Sequence, residues 1–433
     1  MKKILIYIAC FFLVVTTFAQ ETILPANAQS EPIALTNATI HIGNGEIINN
    51  GNVIFRNGKI TSVSTNPITE NIKAIDCSGK HIYPGLILAA TQLGLLEVPS
   101  VRATVDASEI GDINSNISSL VAYNTDSKAI NPLHSMGILL ANVVPAGGVI
   151  SGSSSVVQLD AWNWEDAAYA TENAIIFRMP SLLIRRGGGR GGFGGSQPPT
   201  DPIKSGLEKI ENVKAFFREA KAYSEQTNHE NVNLKLEAVK GLFNKQQKLF
   251  IYCNIVKEML IAIDFAKEFG FDVTLVGAVD SWQIADILKE NNISVILNQL
   301  HELPAMIDDD IDQPFKTPGI LQKAGVLFCI TIDDGNTQIR NLAFNAGTAA
   351  TYGLSKEQAL TAITLNAAKI LGIENKTGSI EVNKDANLVI SSGDILDMKS
   401  SNISSAYIQG RQIDMANKQS QLYEKYKTKY GIK

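Results

Sequence analysis

Histidine and cysteine are scarce in this chain of 433 residues, which carries five of the first and four of the second. Five imidazoles are few enough that each can be weighed as a metal ligand or general base in its own setting. Cys77, Cys253 and Cys329, the three beyond the N-terminal segment, are odd in number and form no close pair, and the last two stand in apolar runs. That pattern argues for buried thiols and against a disulfide scaffold. No Gly-x-Ser-x-Gly elbow occurs, and the hydroxyl-rich stretch Ser151-Gly152-Ser153-Ser154-Ser155 has no base assigned to it, so a serine nucleophile is not indicated. Basic residues do not predominate: 38 Lys and Arg face 43 Asp and Glu, a net charge of −5. A nucleic-acid groove and an anionic-lipid surface are therefore disfavoured. After residue 15 no apolar run reaches the roughly 18 residues that a spanning helix needs, so no membrane span is expected in the mature chain.

What is present is enough to fold. With 45% hydrophobic and 19% charged residues, the chain can bury one large core and a satellite domain. Residues 1–19 read as a secretory signal: Lys2 and Lys3, an apolar run from Ile4 to Val15, then Thr17-Phe18-Ala19 before Gln20. Cys10 lies inside that run, too early for a lipidated cysteine. Cleavage would remove the two lysines, take the net charge from −5 to −7, and send the protein to a secreted or periplasmic location.

Residues 31–83 alternate apolar and polar positions, and Asn57-Gly58 between two β-prone runs predicts a tight hairpin. A second β-rich stretch at 376–415 is expected to join the first in one composite β-sandwich built from both chain ends. Across 84–375 apolar strands alternate with helical periodicity: 249–254 then 257–269, 272–277 then 282–291, 294–298 with its loop, and 326–332. Four such units in about 90 residues predict a (β/α)8 TIM-type barrel whose site lies at the carboxyl ends of its strands. The Gly-rich stretch 187–199 lacks a following Gly-Lys-Ser and reads as an inserted loop near the barrel mouth. Residues 416–433 read as a polar tail.

Five segments carry a resemblance. They are 75–94, with Tyr83-Pro84-Gly85-Leu86-Ile87-Leu88-Ala89-Ala90-Thr91-Gln92 at its heart; 249–270; 341–347; 353–372; and 378–388, with Asp385-Ala386-Asn387-Leu388. In order and spacing they resemble the imidazolonepropionase-like branch of the amidohydrolase superfamily. That resemblance implies a hydrolase scaffold for carbon–nitrogen bonds other than peptides, often in cyclic amides or amidines. It also implies zinc or another divalent metal, which lowers the pKa of bound water from about 15.7 to near 7.

The implied ligands are two histidines on barrel strand 1, one each on strands 5 and 6, an aspartate on strand 8 and, in two-metal members, a strand-4 carboxylate. In this chain the strand-1 positions hold Ala90 and Gln92, the strand-5 position Tyr252, and the strand-6 position Val276 or Gly277. The aspartate remains as Asp333 or Asp334, with Asp333 favoured. No cofactor is therefore expected.

Among the histidines, His41 and His81 read as β-domain residues, His134 as part of a helix–strand turn, and His229 as part of a polar helix. His301, just past the predicted strand 7, is the one candidate to neighbour the strand-8 acids as a general base. Asp308, Asp309, Asp310 and Asp312 read as a solvated loop, since their spacing is not that of an EF-hand. Trp162 and Trp164 are placed near the top of an early strand. The expected function is a catalytically silent relative that binds a small ligand, through Gln92, Tyr252 and Asn254 among others, or pairs with a homologous subunit. The alternative is an active hydrolase rebuilt around His301, Asp333 and Asp334.

Overall fold

The computed structural model describes residues 24–183, 201–226, 228–333 and 337–432. The predicted leader at 1–19, the Gly-rich stretch at 187–199 and Asp334 lie outside the described residues.

Five strands open the chain: β1 (Ile33–His41), β2 (Ile47–Arg56), β3 (Lys59–Ser64), β4 (Lys73–Asp76) and β5 (His81–Pro84). The β2–β3 hairpin turns at Asn57 and Gly58, with φ of 47° and 79°. Both lie in the left-handed region that a two-residue type I′ loop demands and that Asn-Gly tolerates best. β1 pairs antiparallel with β2 on one side; on the other, its first half pairs with β4 and its second half with β5, so the sheet forks there.

Eight strands then form the barrel: β6 (Leu86–Thr91), β7 (Ile138–Val143), β8 (Ile150–Gln158), β9 (Ala168–Arg178), β10 (Lys248–Cys253), β11 (Val273–Gly277), β12 (Ser294–Leu297) and β13 (Phe328–Ile330). They pair in chain order from β6 to β13. The two ends meet through a side chain: Thr331 Oγ1 donates to the Ala90 carbonyl at 3.1 Å and accepts from the Ala90 N–H at 3.2 Å. The long helices follow β9, β10 and β12, at Pro202–Ser224, Val256–Phe269 and Gln313–Ala324.

One strand departs from the expected alternation. β8 runs antiparallel to both β7 and β9. A parallel neighbour needs a crossover of a dozen or more residues. Only 144–149 separate β7 from β8, and Gly147 and Gly148, with φ of 84° and 66°, turn the chain straight back.

After the barrel, β14 (Leu388–Ser391), β15 (Ile403–Ile408) and β16 (Arg411–Gln412) return to the first sheet, where β14 pairs antiparallel with β5 from Leu388↔Pro84 to Ser391↔His81. Both chain ends therefore share one eight-stranded sheet. Its core mixes Leu35, Phe55 and Ile82 from the first part with Leu388, Ile390 and Tyr407 from the second. The barrel core is separate and larger. Among the described residues, no helix is long and apolar enough to cross a membrane.

Candidate functional site

Because β9 to β13 run in the same direction as β6 and β7, their carboxyl ends gather at one face. A cavity of about 400 Å³ opens there, lined among others by Arg178, Tyr252, Asn254, Gly277, Asn298 and Asp333. Three of the sequence candidates, Tyr252, Asn254 and Asp333, are thus brought to one place.

Tyr252 ends the apolar run of β10 and pairs in register with Arg178 on β9. The Arg178 guanidinium stacks 4.2 Å from the Tyr252 ring centroid, a cation–π distance. Burial pushes the Tyr252 phenol well above its ordinary pKa; the Asp333 charge adds to this and the Arg178 charge opposes it. At neutral pH Tyr252 is a protonated phenol, a neutral hydrogen-bonding group rather than an anionic metal ligand.

Asp333 follows β13, and its backbone N–H donates to Asn298 Oδ1 at 2.8 Å, which fixes the strand-8 acid against the end of strand 7. Asn254 is held by its backbone: its N–H donates to Glu258 Oε2 at 3.1 Å, while Glu258 Oε1 accepts from Leu182 N–H at 2.9 Å. Glu258 is nearly fully buried and serves as an anchor for these two loops. The Asn254 amide reaches the strand-6 position. A Cβ added at Gly277 would lie 2.4 Å from Asn254 Oδ1, and Gly277 has φ of 87°. A side chain at Gly277 would be strained by that positive φ and would displace the Asn254 amide.

Gln92 is half-buried in the turn after β6, where its carbonyl accepts from Leu95 N–H at 3.0 Å. Ala90 is fully buried in the β13–β6 seam. His301 points elsewhere: its Nε2 hydrogen-bonds Thr348 Oγ1 at 2.8 Å and its ring meets Phe315 edge-on at 6.1 Å. Partial burial lowers its pKa below the ordinary imidazole value.

The family's divalent metal does not fit the side chains at the implied positions. Ala90 offers no donor, Gly277 no side chain, Val276 a buried alkyl group, Gln92 a neutral amide and Tyr252 a neutral phenol, leaving Asp333 as the one anionic donor at those positions among the described residues. Among the described residues, no group of three or more His, Cys, Asp or Glu is placed to hold a metal ion.

Sequence reasoning missed Arg178 and Asn298. Arg178 carried a usable signal, a lone cation ending the apolar run Ala174-Ile175-Ile176-Phe177. The placement of Trp162 and Trp164 is corrected: they follow the reversed β8 and so lie toward the opposite face of the barrel, where Trp162 shares a pocket with His134, Asp160 and Asp414. His134 is buried with its ring nitrogens toward the carbonyls of Leu159 and Asp414. His41 and His81, at 3.0 Å, sit in the terminal sheet as expected, with His41 also bonded to Glu357.

Comparison with known proteins agrees with this architecture. The amidohydrolase family profile matches residues 285–413. The chain is 24% identical to an imidazolonepropionase of Mesorhizobium japonicum over 341 residues, 73% of this chain and 79% of that protein. It is 24% identical to an imidazolonepropionase of Rhizobium rhizogenes over 377 residues, 81% and 88% of the two chains. Among solved structures, an amidohydrolase from Thermotoga maritima superposes with a TM-score of 0.77 at 24% identity, covering 88% of this chain and 99% of that one.

Proposed function

The chain is an imidazolonepropionase-like member of the amidohydrolase superfamily, the scaffold of hydrolases of carbon–nitrogen bonds, and from that premise we propose that it binds a small polar molecule at the barrel mouth without hydrolysing it. One observation carries this reading. The positions that should hold imidazoles instead supply a methyl group, an amide, a phenol and a glycine, yet a cavity of about 400 Å³ persists beside Asp333. That volume falls within the range of about 300–1,000 Å³ usual for small-molecule sites. Of the described residues at the implied ligand positions only Asp333 is a carboxylate, and one carboxylate with water around it does not hold zinc selectively.

Export follows in the same reading from the leader-like residues 1–19. The test begins with the metal. Purified protein, dialysed and then titrated with zinc, is expected to hold far less than one equivalent in elemental analysis. Stoichiometric zinc, iron or manganese that survives dialysis, together with turnover of a cyclic amide, would establish the hydrolase reading instead.

A further inference from the structure

We propose that the C-terminal helix of one copy of this chain docks on the acidic loop after β12 of a second copy, so that copies join head to tail. The helix spans Lys418–Tyr430, and none of its residues is buried. Tyr423, Tyr426 and Tyr430 recur at helical spacing and form one strip, in which the Tyr426 and Tyr430 rings stack at 6.3 Å. Lys427 lies 6.0 Å from the Tyr423 ring and Lys429 5.3 Å from the Tyr430 ring, so lysines flank the strip. A helix of 13 residues that buries no face is marginal in water, and this one therefore calls for a surface to cover its aromatic strip.

Charge sets the sign of that surface: the helix carries four lysines against Glu424, in a chain that is acidic overall. The loop 302–312 has the complementary make-up. It holds Glu302, Asp308, Asp309, Asp310 and Asp312, and the nearest lysine beyond it, Lys316, pairs with Asp310 at 3.1 Å and Asp312 at 2.7 Å. Interleaved with these acids, Leu303, Ile307 and Ile311 are 79%, 99% and 72% exposed. Apolar side chains standing out among carboxylates are what a strip of tyrosines edged by lysines would cover. An anionic lipid surface would also attract the lysines. The strip, however, lacks the long aliphatic side chains that hold an interfacial helix in the acyl boundary, and lipid leaves the apolar acidic loop uncovered.

Within one copy the two elements start from opposite ends of the barrel. Asn417, which caps the helix, donates through Nδ2 to Ser135 Oγ at 3.4 Å, just ahead of the amino end of β7, whereas the loop leaves the carboxyl end of β12. Docking between copies is then a contact of unlike surfaces. Such a contact leaves a free helix at one end and a free loop at the other, and it propagates into a ring or a filament. A short helix against a loop stays small beside the about 1,200 Å² at which standard interfaces begin, so the association should be reversible and concentration-dependent.

Sedimentation velocity on the full purified chain tests this. The mass should rise with concentration through the micromolar range and fall back as added salt screens the charges. A helix variant, Lys427→Glu with Lys429→Glu, and a loop variant, Asp308→Lys with Asp310→Lys, should each associate about 10-fold or more weakly than the parent, because like charges then face one another. Mixed together, the two variants should assemble again: the acidic helix of one meets the basic loop of the other, and the second pair is unaltered. If thermal unfolding shows that the loop variant does not fold, Tyr423→Ser with Tyr430→Ser, on a helix that no core depends on, takes its place and should also dissociate the assembly. A parent that is monomeric at every concentration, a helix variant that associates like the parent, or a mixture no larger than its parts would overturn the proposal. A monomeric parent that sediments with phosphatidylglycerol vesicles through Lys427 and Lys429 would overturn it in favour of lipid.

Discussion

Tyr407→Ala should loosen strands that lie more than 340 residues away in sequence as much as its own. Tyr407, on β15, is almost completely buried, and its ring meets Phe55 of β2 at 5.2 Å with an interplanar angle of 64°. Truncating a buried aromatic to alanine costs about 3–5 kcal/mol through lost transfer energy and the cavity left behind. If both chain ends form one cooperative unit, that cost falls on all of it. Amide hydrogen exchange in β1, β2 and β3 should then accelerate by roughly two to three and a half powers of ten, together with that in β14 and β15. A double-mutant cycle with Phe55→Ala should return a coupling of about 0.5–1.5 kcal/mol, the amount an edge-to-face aromatic pair adds beyond its buried area. The reasoning is refuted if Tyr407→Ala accelerates exchange only in β14 and β15 while β1 to β3 keep their protection. Additive effects of the two substitutions would show that the ring contact does not link the chain ends.

A chain ended at Asn375 should lose β14 to β16 and expose the β5 edge, and so aggregate; a monomer with unchanged melting temperature in light scattering and thermal unfolding would count against the shared sheet. Asp333→Asn keeps size and removes charge, so it should weaken binding of a cationic or amide-bearing ligand found by screening by about 1.5–3 kcal/mol in calorimetry; unchanged affinity would show that the cleft beside Asp333 does not carry the binding. Asp280 is held at a pKa of about 6, raised chiefly by burial and then by the charges of Asp309 and Glu258. Its folded pKa lies above its unfolded value near 3.8, so its ionisation weakens the fold progressively as pH rises from about 4 through 6, and the penalty is fully present above that. Asp280→Asn should therefore raise the melting temperature at pH 8 and leave it little changed at pH 4; the opposite order in a pH series of thermal melts would show that Asp280 is stabilised as a carboxylate.

Legibility differed with the kind of information each element carries. The Asn57-Gly58 hairpin was readable because the backbone of a two-residue loop requires positive φ and only a few residues supply it cheaply. The barrel strands were readable as buried apolar runs, but such a run reads alike in both directions. The reversal of β8 was written only in the shortness of 144–149 and its two glycines. That one reversal moved Trp162 and Trp164 away from the mouth. His301 illustrates a second limit. It does follow β12, but the direction of its side chain depends on Phe315 and Thr348, on helices that come later in the chain. Arg178 was overlooked because the implied ligand set was mapped onto strands 1, 5, 6 and 8 and gives a cation on strand 4 no role.

Positive charge is what connects the lost imidazoles to the retained acid. The resemblance places a divalent cation among the ends of strands 1, 5, 6 and 8, and Asp333 stands at the last of these. An ionised carboxylate drawn into a cleft away from bulk water is costly unless a cation or several donors compensate it. Without histidines to hold a metal, that compensation must come from the protein itself. The strand-4 position supplies Arg178, which reaches over the strand-5 residue Tyr252 and lines the same cavity as Asp333. A guanidinium is fixed to the chain, has no open coordination position and cannot acidify water, so under the proposed reading it offsets Asp333 and supplies no hydroxide. Glu258 lines the same cavity, but its oxygens accept from the Asn254 and Leu182 N–H groups, so backbone donors meet that charge and the guanidinium is left to face the strand-8 acid.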